Sequence, residues 1–227
     1  MKARAWTLFF TVAVAATSAR AQGTFQNLDF EAAKLVFLTP GKPLIATSNA
    51  LPGWTAALGN RPVAAVPYVA WGGAGVGLWG IYGSSIDGSF SAGLAATVDG
   101  TASISQTGLV PADARSLLFK VSYGGAGASR STDIVSLGGQ SLPLSALSSG
   151  AAFTLFGADI SRFAGQTETL SFYSSLSDPD PLGPPGYALD DIAFSPQIVP
   201  EPGGAALFLL GLGMLASVRR RGGSPPR

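Results

Sequence analysis

Ser116-Leu117-Leu118-Phe119-Lys120-Val121-Ser122-Tyr123 is the stretch on which the fold turns. Read with a period of two, Leu117, Phe119, Val121 and Tyr123 share one face while Leu118, Lys120 and Ser122 share the other, as in a strand with one face in a core. Similar runs recur on both sides: FQNLDF at 25–30, GLWGIY at 77–82, SFSAGLAATV at 89–98, TASISQTG at 101–108, FTLFGADI at 153–160, TLSFYSS at 169–175 and YALDDIAF at 187–194. Gly, Pro, Asn and Asp separate them, and no helical period persists over about eleven residues. Asp99-Gly100, between two alternating runs, predicts a tight hairpin. The proline-rich run at 177–186 predicts an exposed connection. The expected fold is all-β: a two-sheet antiparallel β-sandwich or jelly roll over residues 22–197, undivided by any compositional break.

The 227 residues contain no cysteine, no histidine and only 12% charged residues. Thiol and imidazole chemistry, zinc fingers and disulfides are thereby excluded, and catalysis would have to run on carboxylates, Lys, Tyr or Ser. The net charge of +1 conceals a partition. Residues 22–199 hold seven cations and twelve acids, a net charge of −5, and the remaining basic residues lie at the two ends. A clustered basic surface for nucleic acid is absent from this reading. Gly75-Val76-Gly77-Leu78-Trp79-Gly80 fits G-x-G-x-x-G but is followed by IYGSSIDGSF, which reads as strand and turn rather than the helix a dinucleotide site needs. These glycines are expected to serve close strand packing or a loop.

Both ends read as addresses. Lys2 and Arg4 precede an apolar run from about Ala5 to Ala16, and Ala19-Arg20-Ala21 then offers small residues to a signal peptidase. Residues 1–21 are expected to be a cleaved signal peptide. At the other end, Pro200-Glu201-Pro202 is followed by the uncharged stretch 203–218 and by Arg219, Arg220 and Arg221. As a helix that stretch reaches roughly 24 Å, slightly short of a hydrocarbon core of about 30 Å, and the arginines suit the cytoplasmic side of a transmembrane helix. The tail, residues 198–227, resembles the PEP-CTERM sorting signal of exopolysaccharide-producing Gram-negative bacteria. The resemblance implies recognition by an exosortase-type membrane peptidase. It implies a passage through the inner membrane toward the cell surface or extracellular matrix.

The middle carries a second resemblance. Asn27-Leu28-Asp29-Phe30-Glu31 with Leu51-Pro52-Gly53-Trp54, then Ile104-Ser105-Gln106-Thr107 leading into the Leu117 strand, then Ala188 through Phe194, resemble in order the galactose-binding-like jelly rolls of many carbohydrate-binding modules. That likeness implies a structural calcium held between Glu31 and Asp191, with Asp29 and Asp190 as neighbours. Calcium needs about six to eight oxygens, so carbonyls and water would complete the shell; the same acids capping a sheet edge is the commoner fate of surface carboxylates. Tyr187 and Leu189 alternate in one phase and Ile192 and Phe194 in the other, so a β-bulge is expected at Asp190-Asp191.

Aromatic rings complement the apolar faces of sugars, and Tyr68, Trp71 and Tyr82 form the candidate platform; Trp54 and Trp79 are expected in the core. Three readings follow. The first is an exported surface or matrix protein with a structural or adhesive sandwich and no enzymatic activity. The second is a calcium-stabilised carbohydrate-binding module contacting polysaccharide. The third is a carboxylate-dependent glycoside hydrolase, for which no pair of acids is placed across a cleft.

Overall fold

The computed structural model describes residues 24–69, 75–81, 84–97, 100–123, 134–175 and 186–199. The expected signal peptide (1–21), the apolar stretch 203–218, Pro200, Glu201, Pro202 and Arg219–Arg221 lie outside these residues, as do Trp71, Tyr82, Asp99 and most of the proline-rich loop. No helix among the described residues is long and apolar enough to cross a membrane.

The strands are β1 (Phe37–Thr39), β2 (Lys42–Ala46), β3 (Thr55–Leu58), β4 (Arg61–Pro62), β5 (Ala65–Val69), β6 (Gly75–Trp79), β7 (Ser91–Ala95), β8 (Ala102–Leu109), β9 (Ser116–Tyr123), β10 (Val135–Leu137), β11 (Gln140–Ser141), β12 (Ser145–Ser149), β13 (Thr154–Asp159), β14 (Thr167–Ser174) and β15 (Gly186–Ser195). One helical turn, α1 (Thr47–Ala50), interrupts them. They form a nine-stranded sheet in the order β1-β2-β5-β6-β7-β15-β9-β13-β12 and a six-stranded sheet in the order β11-β10-β14-β8-β3-β4. The two sheets close as a β-sandwich over a shared core.

Alternation builds that core. In β8 and β14, Ile104, Leu170 and Phe172 point inward at 0% exposure, while Thr107 and Thr169 face out and share a 2.8 Å hydroxyl hydrogen bond. Leu117, Phe119 and Val121 of β9 are buried as their phase requires. Phe119 meets Phe172 of the opposite sheet edge-to-face at 5.0 Å, and Trp54 meets Phe172 at 6.3 Å, so aromatic rings bridge the layers.

The centre of the larger sheet is buried on both faces: every residue of β6 and β7 is buried. Here the glycine-rich run finds its use. Gly77 pairs with Gly93, and the Trp79 indole lies against both. A Cβ on Gly93 would fall 2.0 Å from Trp79 Nε1, so only the bare backbone admits the ring. The expected cores at Trp54 and Trp79 are found, and the G-x-G-x-x-G run is strand.

Three expectations are corrected. FQNLDF at 25–30 is not a strand: Thr24 makes one isolated bridge to Leu109, and the chain then turns, with positive φ at Asn27 and Phe30. Thr97 and Gly100 exchange backbone hydrogen bonds of 3.0 Å, but the turn carries the chain from β7 in one sheet to β8 in the other, so it is a crossover rather than a hairpin between neighbours. The sheet is also not wholly antiparallel, because β5 and β6 run parallel, Tyr68 beside Leu78.

Candidate functional site

The candidate site grows from the motif Asn27–Glu31. Asn27, at φ +50°, accepts from the Ala32 amide (2.9 Å) and donates its Nδ2 to the Pro52 carbonyl (3.1 Å). Its own carbonyl receives Trp54 Nε1 at 3.0 Å. Asn tolerates this left-handed backbone better than most residues because its short amide bonds locally. Phe30, also left-handed, is fully buried with its ring 5.8 Å from Trp54; burial holds a conformation its side chain does not favour.

The turn delivers Glu31 to the loop before β7. Glu31 Oε1 accepts from the backbone amides of Ser89 (2.8 Å) and Phe90 (2.9 Å). Gly88, at φ +51°, leaves the room: a Cβ there would sit 2.5 Å from that same oxygen. On the far side of the turn, the Leu28 carbonyl receives the Ile192 amide of β15 at 3.0 Å.

β15 carries the expected bulge. Its register against β9 jumps from Asp190 opposite Lys120 to Ala193 opposite Leu118, one extra residue on β15, and Asp191 has φ +50°. The bulge sends the two aspartates to different places. Asp190 turns inward, 1% exposed, its Oδ2 accepting from Ser91 Oγ (2.8 Å) and the Asp87 amide (3.1 Å) and its Oδ1 from the Asp191 amide (2.8 Å). Ser91 Oγ in turn accepts from the Ile86 amide at 2.8 Å. Asp191 turns outward to Lys120, whose Nζ lies 2.9 Å from Asp191 Oδ2 and 2.8 Å from Asp87 Oδ2.

Burial pushes the Asp190 carboxyl up to about 6, against the opposing hydrogen bonds from Ser91 and from the Asp87 and Asp191 amides. The hydrogen bond from Lys120, followed by that from the Gly88 amide, holds Asp87 below its ordinary value. Lys120 is raised by its hydrogen bonds to Asp87 and then Asp191. These side chains close a clasp over three segments, the 27–31 turn, the 84–90 loop and the β9–β15 pair.

The structure therefore brings Glu31, Asp190 and Asp191 to one clasp, with Asp29 one turn away, its Oδ1 accepting from the Glu31 amide at 3.3 Å. As arranged, these oxygens do not fit a calcium site. The oxygens named above are taken by backbone amides, Ser91 and an ammonium, and the described residues hold no group of three or more acids placed to bind a metal ion. Nor can Asp190, sealed from solvent, reach a substrate.

Sequence reading missed Lys120, Asp87 and Ser91, which lie between 33 and 103 residues from partners in the clasp. The bulge phase slip was their only available signal. Tyr68, half-buried, packs between Phe37 (tilted, 6.4 Å) and Phe90 (edge-on, 6.1 Å), two aromatic residues that the sequence did not single out. No protein-family model, no curated protein and no solved structure matches this chain.

Proposed function

We propose that the chain is an exported surface or matrix protein, routed by a PEP-CTERM tail to an exosortase-type peptidase, whose β-sandwich serves a structural or adhesive role without catalysis. The observation that supports the non-catalytic reading is the closed clasp: Glu31, Asp87, Asp190 and Asp191 are engaged in joining three segments of the fold. The sorting reading rests on Pro200-Glu201-Pro202, the uncharged stretch 203–218 and Arg219–Arg221. The galactose-binding-like jelly roll is the fold-level reading of the same domain, and a sandwich of this kind hosts binders and inert spacers alike.

The mass of the mature protein tests both ends at once. Cleavage after Ala21 and near Pro200–Pro202 is expected, and replacing Pro200 and Pro202 by Ala, or deleting Arg219–Arg221, should leave precursor in the membrane fraction. Identical fractionation of wild type and variants defeats the sorting proposal. A second reading, binding to polysaccharide, is favoured by the aromatic row through Tyr68. Glycan-array binding lost in Tyr68→Ala would support it, and the absence of any glycan signal would remove it.

A further inference from the structure

We propose that the β1–β2 hairpin is a docking surface for an anionic lipid bilayer. Every residue from Lys34 to Leu44 is exposed. Five of the large exposed hydrophobic residues fall in this one segment, Leu35, Val36, Phe37, Leu38 and Leu44, with Val36 at 55% and Leu38 at 54%; among the described residues only Leu147 and Ile198 join them from elsewhere. A concentration of this kind marks an interaction surface rather than ordinary scattered exposure.

The register shows what kind of partner fits. Phe37 pairs with Ile45, and Ile45 with Val66, so Phe37 shares the face those buried residues turn to the core; at the sheet margin it is 47% exposed. Leu44, next to Ile45, points to the opposite face, beside Pro67. The hairpin is thus apolar on both faces. A protein partner with a flat surface covers one face, whereas a fluid apolar medium covers both. Edge-to-edge pairing with a second copy is poorly served, since β1 has three residues with an irregularity between Phe37 and Thr39, and Pro40 and Pro43 lack amide donors.

Charge selects among apolar media. Between Glu31 and Arg61 the only charged residues are Lys34 and Lys42, in a region whose residues 22–199 carry a net −5. The two lysines bracket β1, where their stems can lie along apolar surface while the ammonium groups meet headgroup phosphates. The acidic remainder is repelled by the same lipid, which orients the domain hairpin-first. The hairpin lies more than 150 residues before the stretch 203–218 in the sequence, and the proposal holds whether or not the sorting tail is processed.

The chain has no cysteine, so Leu38→Cys and Ser148→Cys each give the full-length protein a single position for an environment-sensitive fluorophore. Ser148 lies on β12, the far edge of the same sheet. With vesicles of mixed phosphatidylglycerol and phosphatidylcholine, the label at 38 should shift to the blue and be quenched by lipid-borne quencher, while the label at 148 stays unchanged. Lys34→Ala and Lys42→Ala in the Leu38→Cys background should each lower partitioning about fivefold. No shift at 38 overturns the proposal. An equal response at both positions reports adsorption through another segment and overturns it. So does a response to phosphatidylcholine alone, or a shift without vesicles that grows with protein concentration, which would identify a second copy as the occupant.

Discussion

The clasp and the hairpin lie on the same sheet and reverse the usual placement of residue types in opposite ways. At the clasp a carboxylate is buried at 1% exposure, and at the hairpin four consecutive hydrophobic residues stand in water. The difference lies in satisfaction. Every hydrogen bond named for Asp190 ends on a protein donor, so its burial is compensated within the fold. Leu38 keeps 54% of its surface exposed, so the fold leaves most of its apolar area uncompensated. A buried charge with its partners marks internal architecture, and an exposed apolar run without them marks a surface to be used.

The comparison can be broken most forcefully at Asp190. Asp190→Ala strands the Asp87 and Asp191 amides and the Ser91 hydroxyl, and should lower the unfolding free energy by about 3–5 kcal/mol in a denaturant titration. Next in size is the pH effect. Because the folded carboxyl titrates at about 6 rather than 3.8, the native state keeps a proton that the unfolded chain has released between those values. Its contribution favours folding below about pH 4 and is lost as pH rises through 6, a difference of about 3 kcal/mol that Asp190→Asn should abolish. Asp87, held low by Lys120, works in the reverse sense, contributing above 3.8 and losing that contribution in stronger acid.

Smaller effects sharpen the contrast. Lys120→Met removes two partly exposed ion pairs and should cost about 1 kcal/mol, an amount that added salt also erodes in the wild type. Leu38→Ser should change stability by no more than about 0.5 kcal/mol, since it removes no internal contact of weight. At the bottom of the scale, a chelator or added calcium should leave the melting temperature of the wild type unmoved. A clear upward shift with calcium would show that the clasp opens to a cation and that its protein donors are replaceable.

Much of the sandwich was legible because the later strands advertise themselves. β8, β9 and β14 alternate buried and more exposed residues over long runs, and their bounds, like those of β13 and β15, follow the reading closely. The strands from Phe37 to Val69 were silent, since Pro40, Pro43, Pro62 and Pro67 resemble loop punctuation; the first three sit at margins such as β4 and the β1–β2 hairpin, whereas Pro67 lies inside the sheet, in β5 between β2 and β6. FQNLDF misled because its alternation is that of a strand while its backbone turns at Asn27 and Phe30, and only the buried contact with Trp54 shows why. At the clasp, the phase slip announced the bulge, but an alternating lysine on β9 gave no sign that it would sit between two aspartates.

The position of β15 has a further consequence, for the order of events rather than for energy. It is the last of the described strands, yet it lies in the interior of the nine-stranded sheet, between β7 and β9, and its Asp190 reaches partners 99 and 103 residues earlier. Until it arrives, β7 and β9 have no common neighbour and the clasp has no keystone. Folding of such non-local topology is intrinsically slow. A chain emerging from synthesis therefore holds the nine-stranded sheet in two separate parts, β1-β2-β5-β6-β7 and β9-β13-β12, until its last described strand joins them.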